Sequence, residues 1–247
     1  MNETAKETLT LGERIREALS FRTLFTVRVG ELSIPITETV ITTWLVMAIL
    51  IAGAYLLTRK LREVPTGPQV FVEAFVGFLN GFFKDTLGHH WRPFAAWLGT
   101  VGLFLAAANI LGFFSPIPGF GFEPPFALKP PTRDINVTAA LSVMTILIVI
   151  VSGLVVKGPI GWFKSFVKPT PIMLPFNIIE YAIKPLSLCL RLFGNVLGAF
   201  IIMELLAMVV PLFIPPVASV YFDFFDGIIQ AVVFVFLSSI YIKEAVE

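Results

Sequence analysis

The chain has few charged residues and few of the groups that soluble enzymes use for chemistry. Only 14% of its 247 residues are Asp, Glu, Lys or Arg, whereas a soluble domain carries about 25%. The histidines are the adjacent pair His89 and His90, and Cys189 is the single cysteine. One cysteine forms neither an internal disulfide nor a thiolate metal centre, and the sequence predicts no metal site and no cofactor.

Excess charge of one sign is also lacking, because 18 basic and 17 acidic side chains leave a formal net charge of +1. This balance gives no field that attracts nucleic acid, so no nucleic-acid partner is expected. The sequence has no GxxxxGK[ST] phosphate-binding loop, so ATP binding is not expected. It also has no HExxH motif or nucleophile constellation, and no enzymatic activity is assigned to the chain on its own.

Apolar residues are abundant instead. They make up 56% of the chain, with 25 phenylalanines, and the mean hydropathy is +0.86. A soluble fold of this length cannot hide so much apolar surface from water, and a helix needs about 20 apolar residues to cross the hydrocarbon. We therefore predict an all-α integral membrane protein in contact with lipid, with five transmembrane helices at residues 40–57, 93–114, 134–156, 176–210 and 217–243.

The other segments are assigned to the same single membrane domain. Residues 68–88 repeat Phe on one helical face and polar residues on another, which predicts an amphipathic membrane helix. Residues 1–39 form an N-terminal segment whose mixed charges fit neither a signal peptide nor a transit peptide, so an unprocessed bacterial plasma-membrane protein is expected. Residues 115–133 are rich in Pro and Gly and are predicted to form an external loop.

Basic residues are concentrated on one side of the predicted membrane, and this predicts the orientation. The segments after the first and third spans contain Arg59, Lys60, Arg62, Lys84, Arg92, Lys157, Lys164 and Lys168. The loops on the opposite side contain only Lys129 and Arg133. We expect the N-terminus outside and the C-terminus in the cytoplasm.

Arg191 is the most informative residue, because it lies well inside the fourth span among leucines. An arginine at the bilayer centre costs about 2.5–3.5 kcal/mol on insertion scales, and such residues are usually functional. Helical spacing places it on a stripe with Glu180, Lys184, Ser187, Asn195 and Gly198. Gly194 and Gly198 permit close approach of another helix. The stripe predicts a protein partner or water beside this helix, and the alternative is a structural arginine paired within the bundle.

The fifth span carries a second polar face. Asp223, Asp226 and Gln230 recur at helical spacing, and the helix beyond them is apolar until Ser238. A polar path therefore enters from the outer end and stops at a depth comparable to that of Arg191. A path that ends beside a fixed cation is what an ion half-channel requires. The alternative for the two acids is a solvated helix start favoured by the helix dipole.

Three segments resemble the a subunits of F-type ATP synthases. Residues 184–195 (KPLSLCLRLFGN) are similar to the family's signature around its essential arginine, and residues 131–138 (PTRDINVT) and 228–241 (IIQAVVFVFLSSIY) resemble its third and last spans. The resemblance implies a stator subunit with two offset half-channels, which pass protons, or alternatively sodium ions, to and from the carboxylates of a c-ring. It also implies that the last two spans are long and tilted along that ring. The implied partners are the c-ring rotor subunits, peripheral-stalk subunit b and the rest of the complex.

The resemblance assigns roles by position. Arg191 is the arginine that faces the ring carboxylate, and the implied ion path contains Asn195, Gln230, Asp223, Asp226, Glu204, Asp134, Glu180 and Lys184. The chain departs from many relatives at Phe200, where they carry a glutamate nine residues after the arginine. We therefore expect Glu204, or the pair Asp223 and Asp226, to relay protons in the outer half-channel.

Two other functional classes predict different sequences. A secondary transporter is expected to show paired repeats and helices broken near the midplane, but only the fourth span has such breaks. An intramembrane enzyme requires a constellation that His89 and His90 do not form, since they lie together beside the predicted interface.

Overall fold

The computed structural model describes residues 23–29, 32–113, 130–167, 170–210 and 214–247. Residues 1–22 and 30–31 of the predicted N-terminal segment, residue 114 of the predicted second span and residues 115–129 of the predicted external loop lie outside these ranges. The first elements are two antiparallel strands, β1 (Thr23–Val29) and β2 (Leu32–Thr37). Sequence analysis did not anticipate this hairpin, although its Thr, Val and Ile residues favour strands.

Helices account for most of the described chain. Their bounds are α1 Glu38–Thr58, α2 Pro68–Leu87, α3 Trp91–Phe113, α4 Ile135–Ser165, α5 Leu174–Val209, α6 Ile214–Ser219 and α7 Asp226–Val246. A π-helical segment, Val220–Phe225, joins α6 to α7. Within the described ranges, five helical stretches are long and apolar enough to cross a membrane, and α2 and α3 together form one of them. The protein is therefore an all-α integral membrane protein, while the assignment and tilt of individual spans stay predictions.

Helix α4 bends at Gly158 and Pro159 and then continues to Ser165, whereas the third span was predicted to end at residue 156. Gly158 adopts a φ of 71°, which glycine tolerates because it has no Cβ. After the bend, the ring of Trp162 lies edge-on to the ring of Tyr181 on α5, with centroids 6.0 Å apart. The part of α4 after the bend thus packs against the first turns of α5.

The core lies between α3, α4, α5 and α7. It contains Leu98, Leu105, Val149, Leu188, Leu192, Phe234 and Ile242, all at most 3% exposed. Ser238 and Ser239 are buried on α7, where each hydroxyl donates to a backbone carbonyl one turn earlier, at 2.7 and 2.8 Å. Small hydroxyls satisfied in this way allow close helix contacts in a membrane protein.

Two glycines bring α3 and α7 close together. A Cβ added at Gly102 would lie 2.9 Å from Val235 Cγ2, and one added at Gly227 would lie 2.7 Å from Asn109 Cβ. Any larger residue at these positions requires the helices to move apart, because such distances are shorter than van der Waals contact. The α3–α7 contact therefore depends on both glycines and sets the position of the first turns of α7.

Candidate functional site

Arg191 lies on the exposed side of α5. The flanking Leu188 and Leu192 are 2% and 1% exposed and face the core, whereas Leu190 and Arg191 are exposed. Among the described residues, no carboxylate pairs with the guanidinium of Arg191. The arginine is therefore presented outward from the bundle.

The surface of α5 that follows Arg191 along the helix is open. A Cβ added at Gly194 or at Gly198 would meet nothing within 4 Å in the described chain. These positions lie one and two turns after Arg191 on the same helix. The surface leaves room for the backbone of a neighbouring helix to approach α5 beside the arginine.

A small polar cavity lies between α5 and the start of α7. Four of the residues predicted for the ion path line it, together with residues from α3 and the segment before α4, namely Asn109, Pro130, Asn195, Val196, Ala199, Phe222, Asp223, Asp226, Gly227 and Gln230. The Asn195 side-chain amide donates a hydrogen bond to Asp226 Oδ2. The cavity volume of about 30 Å³ exceeds the roughly 10–15 Å³ that one water molecule needs. We call it the outer cavity.

At the opposite end of α5 and α7 a buried lysine binds two glutamates. Lys184 Nζ lies 3.0 Å from Glu180 Oε1 on the same helix and 2.8 Å from Glu244 Oε2 on α7. The Lys184 side chain is 7% exposed, while those of Glu180 and Glu244 are 47% and 51% exposed. The glutamates border a second cavity of about 220 Å³, lined by Lys157, Ser165, Phe166, Asn177, Glu180, Tyr181 and Glu244. We call it the inner cavity.

Arg191 lies between the two cavities along α5. It is seven residues after Lys184 and four residues before Asn195, which correspond to about 10 Å and about 6 Å of helix. Because α5 and α7 are antiparallel, Asn195 meets the first turn of α7 and Lys184 meets its last turn. The exposed cation Arg191 therefore lies between the outer cavity, at the start of α7, and the inner cavity, at the end of α7.

Comparison with known proteins identifies the family. The family model described as ATP synthase A chain matches residues 40–243. A relative named "ATP synthase subunit a, sodium ion specific", from Propionigenium modestum, is 36% identical over 222 residues, covering 88% of this chain and 76% of the relative. A second, "ATP synthase subunit a" from Moorella thermoacetica, is 37% identical over 214 residues, covering 87% and 93%.

The chain belongs to the ATP synthase A chain family. The family membership and the apolar helices make it a multi-pass subunit of the membrane sector of an ATP synthase, as the resemblance of residues 184–195 had indicated.

Asp134 lies at the N-terminus of α4 and does not line the outer cavity. It is 7% exposed, and its Oδ1 accepts from the backbone N–H of Asn136 at 2.9 Å, which caps the helix. Its Oδ2 accepts from the Thr39 hydroxyl at 3.0 Å, which connects α1 to α4. These contacts account for Asp134 as a helix cap, so its place in the ion path of this family member stays a prediction.

The ring of Phe200, where the resemblance led us to expect a glutamate, is covered by a cation. The Arg133 guanidinium carbon lies 3.5 Å from the centre of the Phe200 ring, a cation–π contact. Phe200 is therefore a packing partner for Arg133 in this chain. The predicted alternative Glu204 lies on α5, but its side chain is outside the described part of the structure.

Sequence analysis missed two polar residues that border the cavities. Asn109 donates to the Gly227 carbonyl at 3.0 Å and accepts from Thr132 at 2.6 Å, so it connects α3, α7 and the segment before α4. An asparagine within an apolar span was a usable signal for Asn109. Glu244 gave no comparable signal, because a charged residue in the last turn of a helix near the chain's end is common.

Proposed function

We propose that this chain is the ion-translocating stator subunit of a rotary F-type ATP synthase, in which Arg191 separates two offset half-channels. The observation that carries the proposal is the exposed Arg191 between an outer and an inner polar cavity. The outer half-channel passes ions to the c-ring carboxylates and the inner one receives them. The ion gradient thereby drives ring rotation and ATP synthesis elsewhere in the complex.

The partner of Arg191 is the carboxylate of a c-ring subunit. A cation within a membrane requires water or an opposite charge, since an unpaired charge in hydrocarbon is costly. The open positions Gly194 and Gly198 let a ring helix come close to α5. Two further partners complete the proposal. Peripheral-stalk subunit b keeps this stator subunit from turning with the c-ring, and bilayer lipid covers the exposed apolar faces of its helices.

The outer half-channel contains Asn195, Asp223, Asp226 and Gln230. Carboxylates pass a proton through one or two bridging water molecules, which the neighbouring amides orient by hydrogen bonds, and the outer cavity has room for that much water. The pair Asp223 and Asp226 supplies the relay where relatives use the glutamate replaced by Phe200. The proton neutralises a ring carboxylate, which then enters the lipid because its neutral form is far cheaper to bury.

An arginine suits the barrier between the half-channels. Its guanidinium attracts the arriving ring carboxylate and favours the ionised form, which releases the proton to the inner side. The guanidinium keeps its own proton throughout, so protons do not pass directly from one half-channel to the other. A lysine shifts its protonation readily when desolvated and is a poorer barrier.

Energetics require several ions for each ATP. One charge that crosses about 100 mV supplies about 2.3 kcal/mol, and rotation accumulates these contributions.

We place the subunit in a bacterial plasma membrane with its N-terminus outside and its C-terminus in the cytoplasm. The inner cavity, with Lys157 at its border, then faces the cytoplasm, in agreement with the excess of basic residues on that side.

Protons are the first candidate for the transported ion. The outer cavity of about 30 Å³ has room for one or two water molecules that relay them. Sodium is the second candidate, because one relative is named as sodium ion specific. ATP synthesis by the complex in sodium-free medium would support protons, and a strict sodium requirement would support the second candidate.

The test is Arg191→Ala in the intact complex, reconstituted in vesicles and energised by a pH jump. ATP synthesis is expected to be abolished, and passive proton leak through the membrane sector is expected to rise, because the barrier cation is removed. Arg191→Lys is expected not to restore full coupling, since lysine loses its proton more readily. Normal ATP synthesis by Arg191→Ala would refute the proposal.

A further inference from the structure

We infer that Glu244, together with Glu180, is the proton-accepting group of the inner cavity, and that Lys184 positions both carboxylates. The inference rests on the proposed function, since it names the residues that receive the proton after it leaves the ring. Glu244 lies on α7 and Glu180 on α5, so the two carboxylates approach the cavity from different helices.

The buried ammonium of Lys184 holds the carboxylates in place. It contacts Glu244 at 2.8 Å and Glu180 at 3.0 Å. The rings of Tyr181 and Tyr241 lie beside it, with centroids 5.2 and 5.3 Å from Nζ. Aromatic faces on two sides favour the cationic form of Lys184. The ammonium is thus fixed while the glutamates reach into the cavity.

The charges of this cluster favour an incoming proton. Two carboxylates and one ammonium carry a formal charge of −1. About half of each glutamate side chain is exposed, at 47% for Glu180 and 51% for Glu244. Each carboxylate therefore keeps accepting oxygen atoms open to water while it contacts the lysine. A proton that arrives by water binds such an oxygen, and a solvent base then removes it, so the cluster returns to its starting charge.

Lys157 on α4 is a further cation at the inner cavity, and its Nζ lies 3.5 Å from the backbone oxygen of Glu244. It brings the formal charge of the cavity to zero, so the net charge does not oppose an incoming proton, and the open carboxylate oxygens bind it. Lys243 on α7 and Glu247, the residue after α7, lie 3.8 Å from each other and form their own pair. Glu247 neither lines the inner cavity nor contacts Lys184, so it is an acid close to Glu244 that lacks both features on which the inference depends.

A purely structural role for Glu244 is the competing explanation. The Lys184–Glu244 ion pair joins α5 to α7, and its loss alone is sufficient to impair the motor. The two roles differ in how they respond to mobile buffer. A soluble proton acceptor replaces a missing proton-accepting group, but it does not restore a missing contact between helices.

The experiment uses the intact complex in inverted vesicles, where the cytoplasmic face is outside and open to added buffer. ATP synthesis is measured for the parent, Glu244→Gln and Glu247→Gln at low and high imidazole, at constant pH and ionic strength. Glu244→Gln is expected to be roughly tenfold slower at low imidazole, below the range of about 10²–10⁴ for a lost acid–base group because Glu180 remains. High imidazole is expected to restore the parental rate, and Glu247→Gln is expected to match the parent throughout.

An unimpaired Glu244→Gln complex would overturn the inference, and so would a slow complex that imidazole does not restore. If Glu244→Gln does not assemble, Glu180→Gln gives the same two-way result, since it leaves the Lys184–Glu244 pair intact. Failure of the inference is distinct from failure of the proposed function. The first leaves Arg191→Ala inactive, whereas the second is seen as normal synthesis by Arg191→Ala.

Discussion

Replacing Gly194 by leucine tests whether a ring helix packs against α5, because the substitution should hinder docking of the ring and leave folding of this chain unaffected. A Cβ at Gly194 meets nothing within 4 Å in the described chain, so the larger side chain has room in the isolated subunit. The same side chain projects outward one turn from Arg191, where we expect a ring helix. Gly194→Leu should therefore leave the stability of the subunit unchanged and move the ring helix away from the arginine.

The expected effect follows from the distance between the two charges. Helix axes pack 8–10 Å apart depending on the side chains between them, so a leucine in place of glycine costs about 2 Å of approach. At an effective dielectric constant of about 20, opposite charges attract by about 4.2 kcal/mol at 4 Å and about 2.8 kcal/mol at 6 Å. The loss of about 1.4 kcal/mol corresponds to about a tenfold decrease in rate.

The assay is proton-driven ATP synthesis by the reconstituted complex, with assembly checked by co-purification of the ring. Gly53→Leu on α1 is the matched control, because a Cβ at Gly53 also meets nothing within 4 Å. Gly194→Leu should assemble and synthesise ATP about ten times more slowly than Gly53→Leu. If the two variants have equal rates, a ring helix does not pack at this surface and the reasoning is wrong.

Two further predictions concern the contact of α7 with its neighbours. Gly227→Ala should destabilise the chain by about 1–3 kcal/mol, as overpacking does, because its Cβ would lie 2.7 Å from Asn109 Cβ; a melting temperature equal to that of Gly53→Ala would contradict this. Asp226→Asn should slow proton-driven synthesis about tenfold or more, because the neutral amide still accepts from Asn195 but cannot relay a proton, and a lost acid–base group costs about 10²–10⁴ in rate where no other group remains. Parental synthesis in the same vesicles would remove Asp226 from the path.

Hydropathy predicted the helical membrane class because the apolar segments are long and separated by charged or Pro-rich residues. It did not predict the extension of α4 to Ser165. Lys157, Gly158 and Pro159 are ordinary signals for the end of a helix, and the contact of Trp162 with Tyr181, which no local pattern reveals, accompanies the continuation. Local sequence signals such as Gly and Pro do not predict the end of a helix where tertiary packing stabilises the helix beyond them.

In the candidate site, too, the sequence predicted positions within each helix but not the contacts between helices. Helical periodicity placed Asn195 on one stripe and Asp226 on another, because it describes one helix at a time. The pairing of Asn195 with Asp226, and of Lys184 with Glu244, depends on how far α5 and α7 are shifted along each other. That register is set by side-chain packing across the core, so it was not available from the sequence of either helix.

The two cations of α5 differ in how the described residues compensate them. Lys184 and Arg191 are two helical turns apart, and a membrane protein must compensate both charges. The chain compensates Lys184 itself with two glutamates within 3.0 Å, whereas the described residues offer Arg191 no carboxylate and leave it exposed. A sequence that supplies two acids to one lysine has the means to neutralise a cation internally. Leaving the neighbouring arginine open is therefore consistent with a carboxylate that arrives from another subunit and departs again, as rotation of a c-ring requires.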